Sequence, residues 1–169
     1  STMGLKPTQY RCASEALLRR FRKEGNLPTI HPLIDLCNAV SIAFGIPIAV
    51  FDRDQIEGDL TVRQAEGSET YLTFGGDSEH PEPDEVIFGD AAGNAHARRW
   101  ANRQSSRSAM SNDTTRALIV AEALHDTAEH DISRLVATLS NSLEDAFGVK
   151  PTTALLLESD ADFELVRRG

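Results

Sequence analysis

The sequence is poor in the residues that build special-purpose frameworks. Among its 169 residues are two cysteines, Cys12 and Cys37, and one tryptophan, Trp100. Two cysteines cannot make a disulfide scaffold, so a cytoplasmic location is expected. No apolar run approaches the ~20 residues of a membrane span, and no basic start leads into an apolar stretch, so neither a span nor a signal peptide is expected. The five histidines, His31, His80, His96, His125 and His130, show no metal-ligand spacing, and no Cys-x-x-Cys occurs. No metal or cofactor is therefore expected. Gly75-Gly76 leads into no helix and is not a phosphate loop, and Gly-x-Ser-x-Gly is missing, which argues against an α/β-hydrolase serine enzyme. Net basicity is also missing. Lys and Arg number 17 against 26 Asp and Glu, a formal charge of -9. Such a chain does not coat nucleic acid through its overall charge, and no DNA partner is expected.

What is present is an ordinary globular balance, 40% hydrophobic and 25% charged. Residues 1–10 read as a tail and 158–169 as a second one, with a single domain over 11–157. A first helix carries Leu17, Leu18 and Phe21 beside Arg19, Arg20, Arg22 and Lys23, and stops at Gly25. A second starts near Pro32, with Leu33, Leu36, Cys37, Val40 and Phe44 on its core face. Asp35, Asn38 and Ser41 fall off that stripe. Gly45 ends it.

Short strands follow at Pro47 to Phe51, Leu60 to Ala65, Tyr71 to Phe74, Val86 to Phe88 and Ala95 to Trp100. In the second of these, Leu60, Val62 and Gln64 alternate with Thr61 and Arg63, a half-buried pattern. Asp52 to Gly58, Gly75-Gly76-Asp77 and Ala91 to Asn94 read as turns. Residues 77–85 read as a solvated acidic loop. Thr115 to Ala123 is favoured as a strand. A third helix has Asp126 as its cap, Glu129 at capping-box spacing, and a stripe of Ile132, Leu135, Val136, Leu139, Leu143 and Phe147. Gly148 stops it, and Thr152 to Leu157 is a closing strand. Three helices against about seven short strands indicate an α+β, or mixed α/β, fold.

Three features bear on chemistry. His31 stands at a helix start, where it serves either a phosphate, ribose or carbonyl contact or a plain solvated loop. On that helix Asn38 is either a pocket group or an amide tying the helix to a loop. Residues 97–108 combine Trp100 with Arg98, Arg99, Arg103 and Arg107. Guanidinium for phosphate and a ring for base stacking suit RNA. The plainer reading is a basic strand balancing the acidic loop, with Trp100 in the core. Last, Asp52, Asp54, Glu57 and Asp59 surround one turn. That set is either solvated or, with Glu122, a source of a carboxylate for an amino or guanidinium group.

The ordered string LPTIHPLIDLCNAVSIAFGIPIAVFDRDQIEGDLTVRQAEG resembles the editing (B3/B4) domain of the phenylalanyl-tRNA synthetase beta chain. It is more similar still to free-standing proteins built from that module. The shared elements are Asp35 and Asn38 on a helix, Gly-x-Pro at 45–47, Phe51-Asp52, Ile56-x-Gly58 and Val62-Arg63-x-Ala65-x-Gly67. Asp90, Arg99-Trp100, Arg103-Gln104 and the apolar run after Thr115 continue the match over about residues 11–124. The resemblance implies hydrolysis of the ester of a wrongly charged tRNA. The synthetase's catalytic and anticodon-binding parts have no counterpart, so no tRNA charging is expected.

By this resemblance, Asn38, Gln104 and Ser105 are the candidate catalytic residues. His31, Asp52, Asp59, Asp90, Trp100 and Glu122 are the candidates for binding the substrate. Arg19, Arg20, Arg98, Arg99, Arg103 and Arg107 are the candidates for a transient contact with mischarged tRNA. Ala49 stands where the synthetase domain has a histidine, and Gln104 or Ser105 lies in the region of its glutamate. Both departures point away from a tyrosine substrate. The free-standing relatives include a group that clears canavanine from arginine tRNA, which makes canavanyl-tRNA the expected substrate. The alternatives are a non-catalytic module binding tRNA or a synthetase, and a small-amino-acid-binding protein unrelated to tRNA. In every case the acids gather at 52–59, 77–90 and beyond 126, and the arginines at 19–22 and 98–107. A local basic rim on an acidic body implies weak, brief, salt-sensitive RNA contact.

Overall fold

A computed structural model describes residues 32–101, 103–111, 113–123 and 127–153. The predicted first helix, both tails, His31, Arg19, Arg20 and the Asp126 cap lie outside these residues. The chain divides into two compact units, 1–123 and 124–169.

In the first unit the order is helix α1 (Pro32–Phe44), β1 (Ile48–Asp52), a 3-10 turn (Arg53–Gln55), β2 (Thr61–Gln64), β3 (Tyr71–Leu72) and β4 (Ser78–Glu79). Then come β5 (Val86–Gly89), β6 (Ala95–Arg98), β7 (Arg103–Gln104), a second 3-10 turn (Ser106–Ser108) and β8 (Ala117–Ala121). Proline at the first position of α1 lacks an N–H that would have had no partner there. Gly45 ends the helix at φ +65°, a conformation that costs glycine little. Cys37 and Val40 are buried as the stripe requires. Ser41, expected off that stripe, is also buried. Its hydroxyl donates to the Ile46 carbonyl at 2.6 Å, which satisfies both groups at the turn into β1.

The strands form three sheets. β1 and β8 make an antiparallel ribbon, with Val50 opposite Ile119. β2, β5, β6 and β7 make a four-stranded antiparallel sheet in that order, and β3 and β4 make a hairpin. The four-stranded sheet packs on both faces. Phe88, Ala97 and Ala101 meet Ala49, Phe51 and Ile56, with Leu118 and Val120 of the ribbon against them. Ile87 and Ala95 meet Tyr71 and Ala65. The predicted fold class, α+β with several short strands, is the one found.

Local departures have physical reasons. Val62 is 47% exposed, not half-buried. β2 is an edge strand, and Arg63 takes the inner position, packing over Gly89 and pairing with buried Glu69. Residues 77–85 are not simply a solvated loop. They contain β4, and Glu85 is buried against Arg98. The strand predicted to run to Phe74 stops at Leu72, because the chain turns through Thr73–Asp77. The strand predicted to run to Trp100 ends at Arg98, because Arg99 and Trp100 both take positive φ.

The second unit holds α2 (Ala128–Phe147). Leu135, Leu139 and Leu143 of the predicted stripe are buried, while Phe147 is exposed. Gly148, at φ +65°, ends it by donating to Glu144 and Leu143 carbonyls. Residues 152 and 153 form no strand, and the rest of the predicted closing strand lies outside the described residues. No helix among the described residues is long and apolar enough to cross a membrane.

Two buried carboxylates govern acid stability. Burial by itself would raise the Asp90 carboxyl, but bonds from His96, Asn94 and Glu57 outweigh it and hold it at about 2. Glu69 is likewise held at about 2 against burial by the Glu66 and Gly67 amides and Arg63. An unfolded carboxylate titrates near ~4. Lowered folded values mean stability that is complete above that range and lost as pH falls toward ~2. The thermal midpoint should therefore fall steeply between about pH 5 and 2. Asp90→Asn should flatten that slope while lowering stability at pH 7 by roughly 3 kcal/mol. Calorimetry across pH reads both.

Candidate functional site

The geometry is organised by a bulge. In the β5–β6 pairing Phe88 faces Ala97 and Gly89 faces Ala95, so His96 has no opposite residue. An extra residue re-aims its side chain. The His96 ring lies edge-on to Phe51 at 6.5 Å, on the side of the sheet that carries Ala97. There Nε2 bonds Asp90 Oδ2 at 2.7 Å and Nδ1 bonds Ser108 Oγ at 2.8 Å. An ionised Asp90 only accepts, so Nε2 carries the proton. With a neutral ring the Ser108 hydroxyl donates to Nδ1.

Sequence reasoning missed this Asp–His–Ser line, because the three residues have no local spacing signature. It resembles a nucleophilic triad in composition only. His96 is 0% and Ser108 1% exposed, so no ester reaches the hydroxyl. The line instead anchors the Ser106–Ser108 turn. Ser105 caps that turn, its Oγ accepting from the Arg107 amide at 3.2 Å and the Leu72 amide at 3.4 Å. Ser105 is thus buried as a cap and does not stand open beside a pocket.

Gln104 joins the sheet to the ribbon. Its Nε2 donates to the Val50 carbonyl of β1 at 3.0 Å, and its own carbonyl accepts from the Tyr71 hydroxyl at 2.7 Å. One step back, the chain passes from β6 to β7 through Arg99 at φ +50° and Trp100 at φ +61°. Two successive non-glycine residues in the left-handed region store strain. The Trp100 amide, bonded to the Val86 carbonyl at 3.1 Å, helps hold them.

Glu122 meets this turn from the ribbon. It follows β8, its amide bonded to the Pro47 carbonyl, and its carboxylate accepts from the Ala101 amide. Burial pushes its carboxyl up to about 7, against the lowering effect of that one amide. No cation pairs with it among the described residues. Glu122 therefore meets the strained turn through the Ala101 amide, while Gln104 joins β7 to β1 at the Val50 carbonyl.

The other predicted residues are placed differently. Asn38 is half-buried on α1, with no hydrogen bond described. Asp52 is buried at the end of β1, accepting from Thr114 Oγ1 at 2.8 Å and the Asp54 amide at 3.0 Å. Asp59 is exposed in the loop before β2. Asp90 lies inside the fold. Arg98 is buried in a bidentate pair with Glu85 at 2.9 and 2.8 Å, and its Nη1 reaches Glu79 at 2.8 Å. Arg99 and Arg107 are exposed, and Arg103 is partly so.

Comparisons with known proteins identify relatives of this chain. The model of the B3/4 domain family matches residues 1–144. Phenylalanine--tRNA ligase beta subunits from Tropheryma whipplei and Photorhabdus laumondii are similar to this chain. The first is 31% identical over 62% of the chain and 11% of its own length. The second is 26% identical over 51% of the chain and 11% of its own length. The chain thus spans about a tenth of these relatives. Among solved structures, an N-terminal fragment of the phenylalanyl-tRNA synthetase beta-subunit from Pyrococcus horikoshii matches at TM-score 0.49 and 16% identity. That match covers 63% of this chain and 38% of the other.

If Ser108 is an anchor, Ser108→Ala should leave a buried ring nitrogen without its donor. That costs roughly 1–3 kcal/mol, read as a lower urea midpoint with unchanged slope. A rate loss much larger than the stability loss would instead make Ser108 a participant in chemistry.

Proposed function

The chain belongs to the B3/4 domain family, and from that premise we propose that it is an aminoacyl-tRNA deacylase acting in trans on a mischarged tRNA. The observation that carries the reading is Glu122. A partly buried carboxyl with one amide donor and no cation among the described residues suits a positively charged or hydrogen-donating head group. It meets the β6–β7 turn at the Ala101 amide, three residues before Gln104. The guanidinium class of side chain suits it, because a planar fork matches a carboxylate. Canavanyl-tRNA is the best candidate. A less basic guanidine than that of arginine can be told apart by a carboxyl that itself titrates near neutrality.

The chemistry asks for little. Water adds to the ester carbonyl carbon, the bond to the ribose oxygen breaks, and that oxygen takes up a proton. Free amino acid and tRNA result. In this reading the remaining amide hydrogen of Gln104 stabilises the oxyanion. With Glu122 assigned to the head group, the neighbouring ribose hydroxyl of the terminal adenosine orients the water. Asn38 and Trp100 border the substrate in this reading. Arg99, Arg103 and Arg107 form the basic rim for the RNA. Asp90 and Arg98 take no part, because their hydrogen bonds are spent inside the fold. Ser105 acts through the turn it caps.

Incubation with a panel of mischarged tRNAs, including canavanyl and tyrosyl forms, tests the reading by ester loss. Hydrolysis of a cationic substrate should rise with pH through about 7 as Glu122 ionises. Glu122→Gln should remove that rise and cut kcat/KM by about tenfold or more. A substrate whose terminal adenosine lacks the free ribose hydroxyl should react more slowly than any single side-chain variant allows. Tight retention of uncharged tRNA with no ester loss anywhere in the panel would assign a binding module instead.

A further inference from the structure

Glu79 holds two arginines with one oxygen. Its Oε2 accepts from Arg98 Nη1 at 2.8 Å and from Arg103 Nη2 at 3.2 Å. Both guanidinium groups also lie over the Tyr71 ring, at 5.4 and 5.2 Å from its centre. The two arginines are otherwise unlike. Arg98 is buried and already saturated by the bidentate carboxylate of Glu85. Arg103 has Glu79 as its one described carboxylate, and the pair stands 39% and 40% exposed. Solvent reaches such a pair, and its net worth is small. Arg103 is also the residue immediately before Gln104.

We propose that Glu79 stands in for a phosphate: it occupies Arg103 in the unliganded protein, and a backbone phosphate of the RNA acceptor end displaces it. This deepens the tRNA reading above and rests on it. Carboxylate and phosphate oxygens satisfy the same guanidinium fork, so one replaces the other without rebuilding the site. The Tyr71 ring keeps Arg103 in position whichever anion it holds. Its own position is fixed by its hydroxyl on the Gln104 carbonyl. Release of Glu79 leaves Arg98 neutralised by Glu85, so exchange exposes one guanidinium rather than breaking a buried pair. The exchange also limits affinity: RNA must compete with a tethered carboxylate, which favours release of the product.

Binding of an uncharged RNA microhelix ending in CCA, followed by fluorescence anisotropy, tests this. Glu79→Gln should bind about two- to fivefold tighter than the parent. Asp77→Asn makes the same charge change two residues earlier, on the exposed turn before β4, and should bind like the parent. Arg103→Gln should weaken binding, and adding Glu79→Gln to it should restore nothing. An unmatched thermal midpoint is checked for each variant against the parent, and Glu79→Gln should keep it, since Arg98 retains Glu85. The proposal is overturned if Glu79→Gln binds as the parent does, if Asp77→Asn reproduces its gain, or if the gain persists without Arg103. Deacylation with microhelix binding indifferent to Glu79 would sink this inference alone. No ester loss and no binding by any variant would sink the functional reading with it.

Discussion

The Asp90 carboxylate is the constraint on which the rest depends. Its two oxygens accept five hydrogen bonds, from the amides of Glu57, Ala92 and Asn94, the Asn94 side chain and His96. A buried charge persists only when its lone pairs are met, and here they are met from three directions. The Glu57 bond draws in the loop after β1. The Ala92 and Asn94 bonds close the β5–β6 turn. The His96 bond fixes the bulge, and through Ser108 it fixes the turn that follows β7. Gln104 and the β6–β7 turn, which Glu122 meets at the Ala101 amide, inherit their positions from this one group.

Much of the frame is legible in the sequence because its rules are local. Pro32 and Gly45 bracket a helix, Gly75-Gly76 makes a hairpin turn, and a run of branched residues makes β8. The polar interior is not legible in the same way. Asp90 meets Glu57 across 33 residues and Arg98 meets Glu85 across 13, with nothing in the spacing to announce either pairing. The bulge depends on a register shift that no periodicity marks. Ser41 lay off the apolar stripe, yet a buried carbonyl required its hydroxyl. The candidate site divides along the same line. Glu122 meets the turn that carries Trp100, through the Ala101 amide. Asp90, Arg98 and Ser105 have their bonds taken up within the fold.

Charge is likewise distributed differently from its sum. Arginines that read as a basic surface are partly neutralised from within: Arg63 by Glu69, Arg98 by Glu85, and Arg116 by Asp54. Among the described residues of the β6–β7 region, Arg99 and Arg107 stand exposed and Arg103 partly so.

The Gln104 amide has one more consequence. β1 has no strand on its side away from β8 among the described residues, and all five of its residues are buried. An apolar strand with a free edge invites a second chain to add to it. Gln104 caps the Val50 carbonyl on this strand with a side chain, which offers no continuing ladder. The edge of β1 is thereby closed at Val50 by a side chain rather than by a neighbouring strand.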